Sequence, residues 1–116
     1  VTALGDVQAE WKSDLSPSTL EAMFGDLSVA QAGSPARHAD VFAAPVLLFH
    51  GDLDQNVSVS ESRLMASRLR GKGKSVELVE YKGLDHQLVD GQVRSQMLDR
   101  ADRFLRDALH LPPANP

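Results

Sequence analysis

The run Val46-Leu47-Leu48-Phe49 is four consecutive apolar residues introduced by Pro45. An unbroken run of this length is what a parallel strand shows when both of its faces are covered, and it predicts a central strand. A second run, "VELVEY" from Val76 to Tyr81, sets Glu77 and Glu80 among apolar residues. It predicts a strand whose charges favour an edge position. Between the two, Ser58-Val59-Ser60-Glu61 has the pattern of a capping box. The helix it opens carries Leu64, Met65 and Leu69 and stops in "RGKGK", where Gly71 or Gly73 supplies a left-handed cap. After the second strand comes the polar stretch "KGLDHQLVDG". Asp90 then caps a last helix with Val93, Met97, Ala101, Phe104, Leu105 and Ala108 on one face, ended by Pro112-Pro113.

The first forty residues are less patterned. Val1 to Leu4 reads as the tail of a strand, and Trp11 sits in polar surroundings. Ser16-Pro17 matches an N-cap followed by proline at the first helical position. Leu20, Met23, Phe24 and Leu27 form a short helical stripe interrupted by Gly25. Ser28 to Asp40 reads as loop with a helical turn. Strands alternating with helices of this length imply an α/β fold with a parallel sheet and right-handed crossovers. Residues 1–116 are enough for one small domain with one core and read as a single unit, with no internal repeat.

Composition narrows the function classes. A net charge of −4 gives no basic footprint, so nucleic acid is not expected as a partner. No apolar run approaches the roughly 18 residues of a spanning helix, and no membrane partner is expected. The absence of cysteine excludes a disulfide framework and thiolate chemistry, but leaves the compartment open. The first residue is Val, so the chain is expected to start partway through a longer protein.

In an open parallel sheet, reacting groups gather beyond the carboxyl ends of the strands. Two loops fall there. His50–Val57 offers His50, Asp52, Asp54 and Asn56, and Lys82–Gly91 offers Asp85 and His86. An acid on one such loop and a histidine on its neighbour is what a nucleophilic hydrolase needs. The carboxylate fixes the imidazole tautomer and the far ring nitrogen takes the nucleophile's proton. The bland alternatives are an Asx turn for Asp54 and a surface histidine for His86. A metal site from His50, Asp52, Asp54 and His86 lacks a His-x-x-x-His spacing and is not expected. The basic run Arg68 to Lys74 reads as a solvated helix end, favourable at the negative end of the dipole. His38 and His110 carry no usable signal.

"HGDLDQNV" followed by "VELVEYKGLDHQL" resembles the C-terminal end of the α/β-hydrolase domain of prolyl oligopeptidase-type serine peptidases, a group that includes dipeptidyl and acylaminoacyl peptidases. That family writes a buried strand, His-Gly, an aspartate four residues after the histidine and a Val three after that. Here these are His50, Gly51, Asp54 and Val57. Its catalytic histidine follows an acidic residue after the next strand, which corresponds to Asp85-His86. "SPARHADVFAAPVLL" resembles the lead-in to that strand, and "VTALGDVQAEW" the segment after the nucleophile elbow. The chain departs from the family at Gln87, where Gly usually follows the histidine, and at Ser58, where Pro usually follows the Val.

The resemblance implies a partial α/β-hydrolase fold, three αβα layers containing the last two or three parallel strands. It implies catalytic roles for Asp54 and His86, with no cofactor. Asp52 competes with Asp54 for the acid role, but the match favours Asp54 and Asp52 is expected to bond loop amides; His50 packs at the strand end, with Gly51 permitting the tight turn. No serine in the chain has glycine at both −2 and +2, the pattern of a nucleophile elbow. The nucleophile is therefore expected upstream of Val1, and the isolated chain is expected to be inactive. Implied partners are a peptide substrate, the rest of the catalytic domain and an N-terminal β-propeller. Self-association through an exposed sheet edge is also expected. An esterase or other acyl hydrolase of the same fold is the near alternative. A non-catalytic assembly module or degenerate hydrolase is the distant one.

Overall fold

A computed structural model of the chain describes residues 16–114. Strands β1 (Val46–Gly51) and β2 (Val76–Tyr81) pair in parallel, with Val46 opposite Val76 and Gly51 opposite Tyr81. Ahead of β1 lie α1 (Pro17–Phe24), α2 (Leu27–Ala32) and a 3-10 helix (Pro35–Val41). Helix α3 (Val59–Gly71) joins the strands and α4 (Gly91–Ala108) follows β2. The readings made on Val1–Leu4 and Trp11 fall outside the described residues.

Strand geometry sends alternate side chains to opposite faces. Val46, Leu48, Val76 and Leu78 meet Met65, Ala66 and Leu69 of α3, and Ala36 and Ala39 of the 3-10 helix close this core. On the other face the rings of Phe49 and Tyr81 stack, with centroids 6.1 Å apart. The two glutamates of β2 divide between the faces. Glu80 takes Arg63 of α3 in a two-point ion pair at 2.8 and 2.6 Å, and Glu77 pairs with Arg100 of α4. The Arg63 guanidinium holds the Glu80 carboxyl below its ordinary value, against the opposing effect of burial. Charges that marked β2 as an edge strand thus tie it to a helix on each face, giving three layers. Among the described residues β1 is the sole neighbour of β2.

Two expectations about burial do not hold among the described residues. In β1, Leu48 and His50 are buried, whereas Val46, Leu47 and Phe49 are only half-covered. In α4 the residues Val93, Met97, Ala101 and Phe104 are half-buried, but Ala108 is exposed and Leu105 is 53% exposed. Adjacent helical residues point about 100° apart. A face that turns Phe104 inward therefore leaves Leu105 on a second stripe with the exposed Leu98 and Leu109.

The helix ends follow local chemistry. Ser16 Oγ accepts the Thr19 amide with Pro17 at the first helical position, and Asp90 Oδ1 accepts the Val93 amide at 2.8 Å. Ser58 Oγ accepts the Ser60 amide at 3.2 Å and starts α3. At its far end Gly73 takes φ 67°, while the amides of Gly73 and Lys74 donate to the carbonyls of Arg70 and Leu69. This is a Schellman turn, and Gly73 is the glycine it needs. Helix α4 ends in a turn of the same kind with His110 at φ 55°, before the prolines are reached. The region read as loop is more helical than expected. Asp26 caps α2 through the Ser28 amide, so the stripe interrupted at Gly25 becomes two helices.

Candidate active site

The loop leaving β1 is organised by Asp54. Its Oδ1 accepts the backbone amides of Asn56 and Val57, both at 2.9 Å. That alone is an Asx turn, the bland alternative for this residue. The other oxygen, Oδ2, lies 2.7 Å from His86 Nδ1 and accepts its proton-bearing nitrogen. The turn and the histidine contact are therefore both made by one carboxylate, one oxygen to each. The Asp54 side chain is 4% exposed. Burial opposes its ionisation, but the Val57 amide, the His86 ring and the Asn56 amide outweigh it and hold the carboxyl below its ordinary value.

His86 presents its ring half-exposed, with the Nδ1 side facing Asp54. Its Nε2 has no hydrogen-bond partner among the described residues. The loop that carries it is held at several points. Asp85 Oδ1 accepts the Gln87 amide at 3.0 Å, and Leu88 takes a left-handed conformation with φ 47°. Arg94, in the first turn of α4, donates to the carbonyls of Gln87 and Leu88, each at 3.1 Å. Asp52 Oδ1 accepts the Gly83 amide at 2.6 Å, and the Leu53 amide donates to the Leu84 carbonyl at 3.0 Å. Asp52 thus clamps the two loops through a backbone amide, as expected of it when Asp54 takes the histidine.

His50 is buried at 8% exposure and lies on the α3 side of β1. Its Nδ1 is 2.6 Å from Ser62 Oγ and its Nε2 is 2.9 Å from the Val57 carbonyl. Gly51 has a reason that the sequence reading did not contain. A Cβ there would stand 2.3 Å from the Leu84 carbonyl oxygen and 2.7 Å from that of Asp85, both backbone atoms of the His86 loop. Close approach, not a turn conformation, excludes a side chain. Gly51→Ala is accordingly expected to destabilise the full-length protein by about 3 kcal/mol. The displaced segment carries His86, and urea melts check the loss of stability.

Two residues at this site are not among those the sequence points to. Ser62 is twelve positions from His50, and nothing local connects them. Arg94 left a weak signal, since a cation in the first turn of a helix opposes the dipole unless something else holds it. Beside His86 a cavity of about 620 Å³ opens, lined by Leu53, Asn56, Leu84 and Val89 among others. Among the described residues no group of three or more His, Cys, Asp or Glu side chains is arranged to hold a metal, and no helix is long and apolar enough to cross a membrane.

The chain is similar to several known proteins. Acyl-protein thioesterase 1 of Gibberella zeae is 37% identical over 71 residues, covering 61% of this chain and 27% of that protein. The peptidase YtmA of Bacillus subtilis, whose name marks it as uncharacterized, is 40% identical over 53 residues, covering 46% and 21% respectively. A thermophilic esterase from Thermogutta terrifontis, solved with propionate bound, aligns with a TM-score of 0.76 at 26% identity. It covers 97% of this chain, which spans 42% of that structure. The chain thus spans 27% and 21% of the two curated relatives it matches. The two parallel strands and their covering helices are part of an α/β-hydrolase fold. Residues 6–111 match the prolyl oligopeptidase family, and the chain belongs to that family.

Proposed function

We propose that this chain supplies the acid and the base of a Ser-Asp-His triad in a serine hydrolase that cleaves short peptides. The observation that carries the reading is the 2.7 Å contact between Asp54 Oδ2 and His86 Nδ1. It leaves Nε2 on the half-exposed side of the ring, beside an open cavity. In the proposed cycle a serine Oγ attacks the scissile carbonyl carbon while His86 Nε2 takes its proton. The tetrahedral intermediate collapses to an acyl-enzyme as His86 passes that proton to the leaving amine. Water then repeats the sequence and frees the serine. Asp54 stays ionised throughout and holds the Nδ1–H tautomer.

The serine is proposed to lie outside these 116 residues, since none within them has the elbow pattern. A fluorophosphonate probe is expected to label the full-length protein at one serine, and peptide mapping should place the adduct outside Val1–Pro116. An adduct on a serine within this chain would overturn the division of the triad. Ester or thioester hydrolysis is the second reading, favoured by the thioesterase relative and the esterase structure. Comparing kcat/KM for aminoacyl p-nitroanilides and short-chain p-nitrophenyl thioesters decides between them. The peptide reading expects the anilides to retain measurable turnover that the Asp54 and His86 variants lose.

A further inference from the structure

Asp54 Oδ2 has a second histidine neighbour. His50 Nε2 lies 3.2 Å from it, while the same nitrogen is 2.9 Å from the Val57 carbonyl. Two acceptors on one side of the ring require Nε2 to carry the proton, because its lone pair there would face two oxygens. In the neutral ring Nδ1 is then the acceptor, and the group 2.6 Å away is the Ser62 hydroxyl, which can donate. Ser62 is 1% exposed on the buried face of α3, so its hydroxyl cannot turn to bulk water instead. The Val57 carbonyl belongs to the residue whose amide binds Asp54 Oδ1. His50 therefore holds both the turn that grips one carboxylate oxygen and the space beside the other.

We propose that His50 is a positioning residue for the Asp54–His86 pair, with its Nε2–H tautomer fixed by Ser62. The inference rests on the proposed triad. The His50 Nε2–H hydrogen bonds to the Val57 carbonyl and directs its positive edge toward Asp54 Oδ2. The carboxylate is then kept at the angle at which it accepts from His86. The chain runs Ser62 hydroxyl, His50 ring, Asp54 carboxylate, His86 ring, and only its last member faces the open cavity.

The test uses the full-length protein. His50→Phe keeps the ring shape and removes both polar nitrogens, whereas His50→Gln returns an amide donor near the position of Nε2. The Phe variant is expected to lose about 10- to 100-fold in kcat with KM within about twofold, and the Gln variant to recover most of that loss. Ser62→Ala should fall between wild type and His50→Phe. A residue that acts through Asp54 has nothing left to position once Asp54 is an amide. In an Asp54→Asn background, His50→Phe should therefore lower kcat by no more than about twofold. An undiminished loss in that background overturns the inference, as does a folded His50→Phe or Ser62→Ala protein with wild-type kcat. If His50→Phe fails to fold, Ser62→Ala, alone and in the Asp54→Asn background, carries the same comparison. Failure of the triad reading is separate, because it would show as wild-type turnover in Asp54→Asn itself.

Discussion

Replacing His86 by Ala in the full-length protein is expected to lower kcat about a million-fold, with KM changed by only a few-fold. The size follows from what the ring would do at each barrier. In the proposed cycle it removes the serine proton as the carbonyl is attacked and returns it to the leaving group, and no neighbour is placed to substitute. Asp85 bonds the Gln87 amide, Asp52 bonds the Gly83 amide, and His50 is enclosed by Ser62 and Val57. The variant should fold, since the ring is half-exposed and its one strong contact is with Asp54. Single-turnover acylation with an activated substrate is the cleanest measurement. A loss below about a hundred-fold would remove His86 from the chemistry.

Asp54→Asn is expected to lower kcat about ten-thousand-fold by analogy with other triads. The amide is nearly isosteric, so the loop stays in place while the ring loses the partner that fixes its tautomer. Asp54 also makes stability depend on pH in a defined direction. Its carboxyl is held below its ordinary value in the folded protein, so its ionised form favours folding. That contribution is complete above the ordinary aspartate value of about 3.9 and is lost as pH falls through the depressed folded value. The stability gap between wild type and Asp54→Asn should therefore be constant near neutrality and shrink below about pH 4. Urea melts at pH 7 and pH 3 check the sign, and a gap that widens with acid would contradict the assigned environment.

Much of this architecture was legible in the pattern of apolar residues. Val46–Phe49 and Val76–Tyr81 were placed as strands, Ser58 and Asp90 as caps, and Gly73 as one of two candidates for the left-handed position. These succeed because strand alternation, capping and left-handed turns depend on a few neighbouring residues. The short helices before β1 were less visible, because small residues such as those of "SVAQAGSPARHAD" have no strong periodicity. Leu105 was assigned to the wrong stripe of α4 because periodicity alone does not say which of two adjacent apolar residues the sheet will cover.

The same division holds at the proposed site. From the sequence itself came the identity of the groups: an acid and a histidine on consecutive strand-end loops, with chain order and spacing resembling those of the family. Those are one-dimensional facts, carried by a local motif around each strand end. The resemblance already favoured Asp54 over Asp52. The tertiary structure supplied the contact, because parallel pairing of β1 and β2 brings the loops together, Asp54 meeting His86 and Asp52 the Gly83 amide. It also decided why Gly51 has no side chain, what Arg94 holds, and which groups enclose His50. Such contacts depend on distances across 32, 12 and 7 positions of chain. The folded sheet and its helices set those separations, and no local pattern encodes them.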